Sequence, residues 1–140
     1  MSKPTGFLKH VGEGAAAYEI HKDIVGGLPF RIIVTVAEQA GLAAEELARR
    51  IGVSRSTFHR RKKAAGSRLS TQESDALARY ASLTSKAVET FDGDEAAARR
   101  WLGSPQPGLG DAVPLEIART TPGYREVEKL LTRIDHGVYA

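Results

Sequence analysis

Residues 42–63 decide how this chain folds, and they read Leu-Ala-Ala-Glu-Glu-Leu-Ala-Arg-Arg-Ile-Gly-Val-Ser-Arg-Ser-Thr-Phe-His-Arg-Arg-Lys-Lys. The pattern predicts two short helices around a sharp turn at Gly52, where a left-handed backbone costs little. Ser54 stands where the N-cap of the second helix belongs. The apolar side of the pair consists of Leu42, Leu47, Ala48, Ile51, Val53 and Phe58. The stretch is therefore a candidate helix-turn-helix, which places its second helix in the major groove of DNA.

Positive charge is concentrated on this second helix and just after it. Residues 55–68 contain six Lys or Arg side chains and no acidic one. Residues 1–54 hold six basic and six acidic side chains, and residues 69–140 hold eight basic and eleven acidic ones. The formal net charge of +3 thus conceals a local patch of +6. Such a patch attracts polyanions even when the whole protein is nearly balanced.

Seven side chains of the second helix are predicted to contact DNA: Arg55, Ser56, Thr57, His59, Arg60, Lys62 and Lys63. Arg55 and Thr57 lie near the start of the helix, which suits base edges, whereas the later cations suit phosphates. Arg61 is irregular for the motif, because it follows Phe58 by three residues, where an apolar contact is usual. The same pattern also fits a helix pair that binds only protein and carries its cations on a solvated face.

Size and composition limit the class of protein. A chain of 140 residues fits one compact domain or two small ones that share a core. Cysteine is absent, which excludes disulfides and thiolate metal sites. The longest apolar stretch, residues 32–37, is far shorter than the ~20 residues of a membrane span, and the amino terminus has no apolar signal-peptide core. We therefore expect a cytoplasmic protein without a membrane partner.

The rest of the chain predicts an all-α fold of about seven helices. Residues 29–40 are ambiguous, because Ile32-Ile33-Val34-Thr35-Val36 favours a strand by propensity, while an apolar helical face, Pro29 and Gly41 favour a helix. We choose the helix. Ser70 and Glu73 predict a capping box at the start of a long helix. Helices are also expected at residues 15–24, 95–102, 114–119 and 121–136, with a loop at residues 103–111.

No arrangement of residues typical of catalysis is found. The four histidines, His10, His21, His59 and His136, are scattered, without His-Glu-x-x-His spacing or a cysteine partner. The glycine-rich loop lacks the Gly-Lys-Ser/Thr ending of a phosphate-binding loop, and Gly-x-Ser-x-Gly is absent. Trp101 lies beside Ala97 and Leu102, which indicates a core residue. We expect neither an enzyme nor a bound cofactor or metal.

The carboxyl-terminal half contains a long spaced pattern. It reads Ala97-x-x-x-Trp-Leu-x-x-Pro-x-Pro-x-Leu-Gly-x-x-x-Pro-Leu, then Thr121-x-Gly-x-x-x-Val-x-x-x-Leu-x-x-Ile-x-x-Gly-Val-Tyr-Ala. This closely resembles the toxin-binding domain of the MbcA/ParS/Xre antitoxin family, the partners of RES-domain toxins. Upstream, residues 41–70 resemble the Xre-like helix-turn-helix of the same family, so the resemblance covers about residues 27–140. Asp111 departs from the pattern, since relatives often have a second glycine there.

The resemblance implies the antitoxin of a type II toxin–antitoxin pair, which blocks an NAD-degrading RES-domain toxin by direct contact. It also implies a homodimer within a larger complex that binds operator DNA and thereby regulates its own operon. It divides the chain into a helix-turn-helix domain at residues 1–66 and a helical toxin-binding or dimerisation domain at residues 67–140. The residues expected to contact toxin are Arg125, Glu126, Arg133, His136, Tyr139 and Ala140. The Tyr139 ring and the terminal carboxylate would enter the toxin cleft. The alternative is a plain dimeric helix-turn-helix regulator without a toxin partner.

Overall fold

The computed structural model describes residues 17–137, and in this part of the chain eight α-helices and one 3-10 turn follow one another without a β-strand. The helices are α1 (Ala17–Gly26), α2 (Ile32–Ala40), α3 (Ala44–Arg50), α4 (Arg55–Lys62), α5 (Thr71–Thr90), α6 (Glu95–Leu102), α7 (Pro114–Ile117) and α8 (Thr121–Asp135). The all-α prediction is confirmed. None of the helices within these residues combines the length and apolar character needed to cross a membrane.

The ambiguous stretch forms helix α2. Its apolar side chains are buried at helical spacing: Ile32, Ile33, Val36, Ala37 and Ala40. Gly41 ends the helix with φ 76°, and its N–H donates to the carbonyls of Ala37 and Glu38. Burial of one continuous helical face therefore outweighs the strand propensity of the β-branched residues. The alternative strand interpretation is wrong.

Helix α5 is the central element of the fold. Its capping box forms as predicted, with the Glu73 N–H donating to Ser70 Oγ at 3.0 Å and the Ser70 N–H donating to Glu73 Oε1 at 2.9 Å. The helix packs against α1 and α2 and also against α6 and α8. Leu77, Tyr80 and Leu83 are almost fully buried among these elements. A single hydrophobic core therefore extends from the helix-turn-helix into the carboxyl-terminal helices.

The segment predicted as a loop at residues 103–111 is more ordered than its prolines and glycines suggested. Residues Pro107–Leu109 form a 3-10 turn, and the Gln106 N–H donates to the Ala112 carbonyl at 3.0 Å. Asp111 adopts a left-handed backbone with φ 67°, directly after Gly110 with φ 64°. An aspartate tolerates this conformation better than most residues, so the departure from glycine leaves the turn intact.

Helix α8 ends the described chain and has one buried side. The Gly123 N–H donates to the side chain of Thr120, its N-cap, at 3.2 Å. The spacing of Val127, Leu130, Leu131 and Ile134 predicts one apolar face; the first three side chains are buried and Ile134 is half-buried. Trp101 on α6 is only half-buried, with its ring centroid 6.1 Å from that of Phe91, so it lies at the margin of the core.

Candidate functional site: a basic helix and the carboxyl-terminal helix

Helices α3 and α4 form the predicted helix-turn-helix. Gly52 adopts φ 101°, and the Val53 N–H returns to the Ala48 carbonyl at 2.9 Å, which closes the turn. Ser54 is the N-cap of α4, because its hydroxyl accepts the Thr57 N–H at 3.2 Å. Phe58 is buried and its ring lies 5.5 Å from that of Phe30, which fixes α4 on the core.

Six of the seven predicted DNA-contacting residues are exposed on or beside α4: Arg55, Ser56, His59, Arg60, Lys62 and Lys63. Thr57 is half-buried, and its hydroxyl accepts a hydrogen bond from Ser54 Oγ at 2.9 Å. It therefore supports the N-cap and is less available to a ligand than the prediction assumed. Within the described part of the chain, Arg60 and Lys63 have no carboxylate partner.

The irregular Arg61 has a structural role. Its Nη1 lies 2.9 Å from Glu73 Oε1, the carboxylate of the α5 capping box. Burial raises the pKa of Glu73. The hydrogen bond from the Ser70 backbone N–H and the Arg61 guanidinium together lower it by more, so the pKa lies below its ordinary value. Arg68 likewise donates to the Gly27 carbonyl at 2.7 Å. Two of the six cations in the patch, Arg61 and Arg68, thus bind groups elsewhere in the fold, whereas Arg60, Lys62 and Lys63 form no ion pair within the described residues.

Sequence reasoning missed Glu45, in the first turn of α3. One of its oxygens, Oε2, lies 2.9 Å from Arg55 Nε, and the other, Oε1, lies 3.6 Å from His59 Nε2. The charge count could not detect this contact, because Glu45 lies outside the acid-free stretch of residues 55–68. It comes close to α4 only because the turn between the two helices folds α3 against α4. The sequence did contain one signal: Glu45 and Arg55 are ten residues apart across the predicted helix-turn-helix, a spacing that can bring the starts of the two helices together.

Four of the six residues predicted to contact a toxin lie in the described part of the chain, on or just after the outer side of α8. Arg125, Glu126 and His136 are exposed and Arg133 is half-buried, opposite the buried apolar side. Tyr139 and Ala140 lie outside the described residues. A shallow groove of about 410 Å³ lies between α5 and this helix, and it is lined by Lys86, Glu128, Lys129, Thr132 and Arg133. Lys86 and Lys129 are additions that the sequence pattern did not single out.

Arg50 joins the helix-turn-helix to the carboxyl-terminal helices. Its side chain is only 10% exposed and donates to the Leu115 carbonyl at 2.8 Å and to Glu116 Oε2 at 2.7 Å, while Glu46 Oε2 lies 3.1 Å away. Burial alone would lower the pKa of Arg50, but its hydrogen bond with Glu116 and its other partners raise it. The guanidinium thus stays charged at the junction between α3 and α7.

Comparison with known proteins assigns a family model to each half. Residues 19–82 match the antitoxin Xre-like helix-turn-helix domain, and residues 86–137 match the antitoxin Xre/MbcA/ParS C-terminal toxin-binding domain. A protein named Antitoxin Xre from Yersinia enterocolitica is 31% identical over 81% of this chain and 76% of its own length. Proteins of the same name from Photorhabdus laumondii and Pseudomonas putida are each 30% identical, over 80% and 93% of this chain and 75% and 79% of theirs.

Proposed function

This chain belongs to the Xre/MbcA/ParS antitoxin family, and from that premise we propose that it neutralises an NAD-degrading RES-domain toxin by direct binding. We also propose that a homodimer binds operator DNA and represses the operon that encodes the pair. The observation that carries the first proposal is the match of residues 86–137 to a toxin-binding domain. The two domains that we propose, residues 1–66 and 67–140, divide these two tasks.

The toxin-binding surface is assigned to the outer side of α8 and to the tail that follows it. Val127 and Leu131 occupy the core, so the opposite side of the helix is free for a partner. Arg125, Glu126, Arg133 and His136 are the contacts proposed there. Tyr139 and Ala140, which follow α8 in sequence, are proposed as further contacts, and the Tyr139 side chain offers a rigid ring with a polar tip.

Growth of cells that express a RES-domain toxin from the same genome tests neutralisation. Co-expression of this chain should restore growth and cellular NAD. Deletion of residues 136–140 should abolish the rescue while the melting temperature changes little, because the buried residues of α8, Val127, Leu130 and Leu131, are retained.

Two outcomes separate the parts of this proposal. If the truncated protein folds and still restores NAD, the tail is not the inhibitory element, and inhibition belongs to the outer side of α8. If the full chain restores neither growth nor NAD, the protein is not the partner of that toxin, and a plain dimeric regulator becomes the better description.

Leu130→Ala and Leu131→Ala are the matched controls for folding. Both side chains are buried, so each substitution should cost about 2–5 kcal/mol of folding free energy. These variants should lose rescue together with their melting transition, in contrast to the truncated protein. Thermal unfolding by circular dichroism distinguishes the two kinds of loss.

The DNA-binding proposal rests on four exposed cations of α4 and its end, of which only Arg55 has a carboxylate partner within the described residues: Arg55, Arg60, Lys62 and Lys63. A dimer would place two copies of α4 about 34 Å apart, in successive major grooves. Substituting Lys62 and Lys63 together by Ala should weaken binding to every duplex and flatten its salt dependence. Binding to the promoter duplex of its own operon, measured at two salt concentrations, tests this. Unchanged affinity and slope would exclude α4 as the DNA-binding helix.

A further inference from the structure

We propose that Glu45 orients Arg55 so that its guanidinium reads a guanine in the major groove. Glu45 is then a specificity-determining residue that itself touches no base. The inference rests on the proposed DNA-binding function. It adds the identity of the base, guanine, and the residue, Glu45, that orients Arg55 toward it.

The contact between the two side chains leaves the reading edge of Arg55 open. Arg55 is the first residue of α4, and its side chain is 80% exposed. Glu45 Oε2 lies 2.9 Å from Nε, the guanidinium nitrogen nearest the chain. Within the described residues, neither Nη1 nor Nη2 makes a hydrogen bond. These two nitrogens form the fork that matches O6 and N7 of guanine, and they remain available to a base.

Orientation of this kind distinguishes a base reader from a phosphate clamp. A free, exposed arginine samples many rotamers and meets phosphates in most of them. Fixing Nε to a carboxylate on a neighbouring helix reduces that freedom before DNA arrives. Arg60 and Lys63, which have no carboxylate partner in the described part of the chain, lack such a restraint.

The negative charge of Glu45 also favours sequence-specific over non-specific binding. A carboxylate close to the phosphate backbone repels DNA of any sequence, which lowers non-specific affinity. At a site that offers guanine, this repulsion is offset by the bidentate contact of the aligned Arg55. His59 Nε2 lies 3.6 Å from the other oxygen, Glu45 Oε1, so the carboxylate is close to two side chains of α4. The neighbouring Glu46 is engaged by Arg49 and Arg50 and does not substitute for it.

Selection from a library of randomised duplexes tests the inference. The wild type, Arg55→Ala, Glu45→Gln and a control, Glu38→Gln, are each used to select bound sequences. Glu38 is an exposed carboxylate on α2, so the control removes the same charge from the same region without touching α4. Melting temperatures are recorded for all four proteins.

Arg55→Ala should lower the preference for guanine at one position of each half-site by roughly 10- to 100-fold, the range of a bidentate arginine–guanine contact. Glu45→Gln should lower the preference at that same position by about 3- to 10-fold and leave the other positions unchanged. It should also bind a guanine-free poly(dA·dT) duplex more tightly than Glu38→Gln does.

Three results would overturn the inference, and they differ in whether the DNA-binding proposal fails with it. If Glu45→Gln keeps the wild-type preference at the position lost in Arg55→Ala, Glu45 does not aim the reader. If Arg55→Ala leaves every position unchanged, Arg55 does not read a base, although the protein still binds DNA. If the wild type enriches no sequence at all, the DNA-binding proposal fails together with this inference.

Discussion

At the scale of single residues, the surroundings of each cation decide what it is available for. Arg55 and Arg61 lie six positions apart on one short helix, and each is paired with a carboxylate, Glu45 and Glu73 respectively. A count of charges treats the two as equal. The side chain of Arg55 is 80% exposed and stays available to a ligand, whereas that of Arg61 is 28% exposed and holds α4 to the capping box of α5.

The Arg61–Glu73 contact predicts a specific dependence of stability on pH. Glu73→Gln keeps the hydrogen-bonding shape of the capping box but removes the charge, and it should cost about 1 kcal/mol at pH 7. Because the folded pKa of Glu73 is lowered, its stabilising effect is complete above the ordinary value of 4.5 and is lost as the pH falls through the folded value. Urea unfolding of both proteins at pH 7 and at pH 3 measures the difference. A gap that stays constant between the two pH values would contradict the prediction.

At the scale of the helix, α8 has one buried side, and its first turn packs closely against α7. Gly123 lies in its first turn, and a Cβ atom there would overlap the backbone carbonyl of Ile117 in α7. The two helices therefore approach more closely than any other residue would permit. Helix propensity and packing make opposite predictions for this glycine.

We expect Gly123→Ala to destabilise the protein by about 1–3 kcal/mol, since the clash involves backbone that cannot rotate away. Propensity alone would give a gain of up to about 1 kcal/mol. Gly26→Ala is the matched control, because nothing lies within 4 Å of the added carbon at the end of α1. Thermal unfolding of the two variants decides between the effects, and a Gly123→Ala protein at least as stable as the wild type would show that α7 moves aside.

At the scale of the whole molecule, one core and one buried arginine unite the two halves. Helix α5 contacts α1 and α2 as well as α6 and α8, and Arg50 crosses from α3 to α7. The protein should therefore unfold in a single transition, with equal calorimetric and van't Hoff enthalpies.

Arg50→Met should lower stability by about 1.5–3 kcal/mol, because the Leu115 carbonyl and Glu116 lose a charged donor at the junction. Arg49→Met is the control: the Arg49 side chain is 65% exposed and forms a surface ion pair with Glu46, so its loss should change stability by less than about 0.5 kcal/mol. Scanning calorimetry reports both the stability and the number of transitions. Two separate transitions in Arg50→Met would indicate that this residue, rather than α5, unites the halves.

The parts of the fold that the sequence predicted are those governed by local rules. Ser54 and Ser70 cap their helices, Gly52 makes its turn, and the apolar residues of α8 face inward, because each depends on neighbours within a few positions. Glu45, Arg50 and the Arg61–Glu73 pair were not predicted. The contacts that were missed, Glu45–Arg55, Arg61–Glu73 and Arg50–Glu116, join residues between ten and sixty-six positions apart, and periodicity contains no information about such pairs.

The place of α5 in the core also limits how members of this family can recombine. The matches to the two family models end at residue 82 and begin at residue 86, so their boundary falls inside a continuous helix and not in a linker. A chimaera that joins the amino-terminal half of one antitoxin to the toxin-binding half of another must therefore keep the helical register across that point. Leu83 and Thr84, both buried at the seam, must fit the helices of both parents. Under the proposed function, new combinations of DNA and toxin specificity should therefore arise by point substitution on the two outer surfaces more readily than by exchange of whole domains.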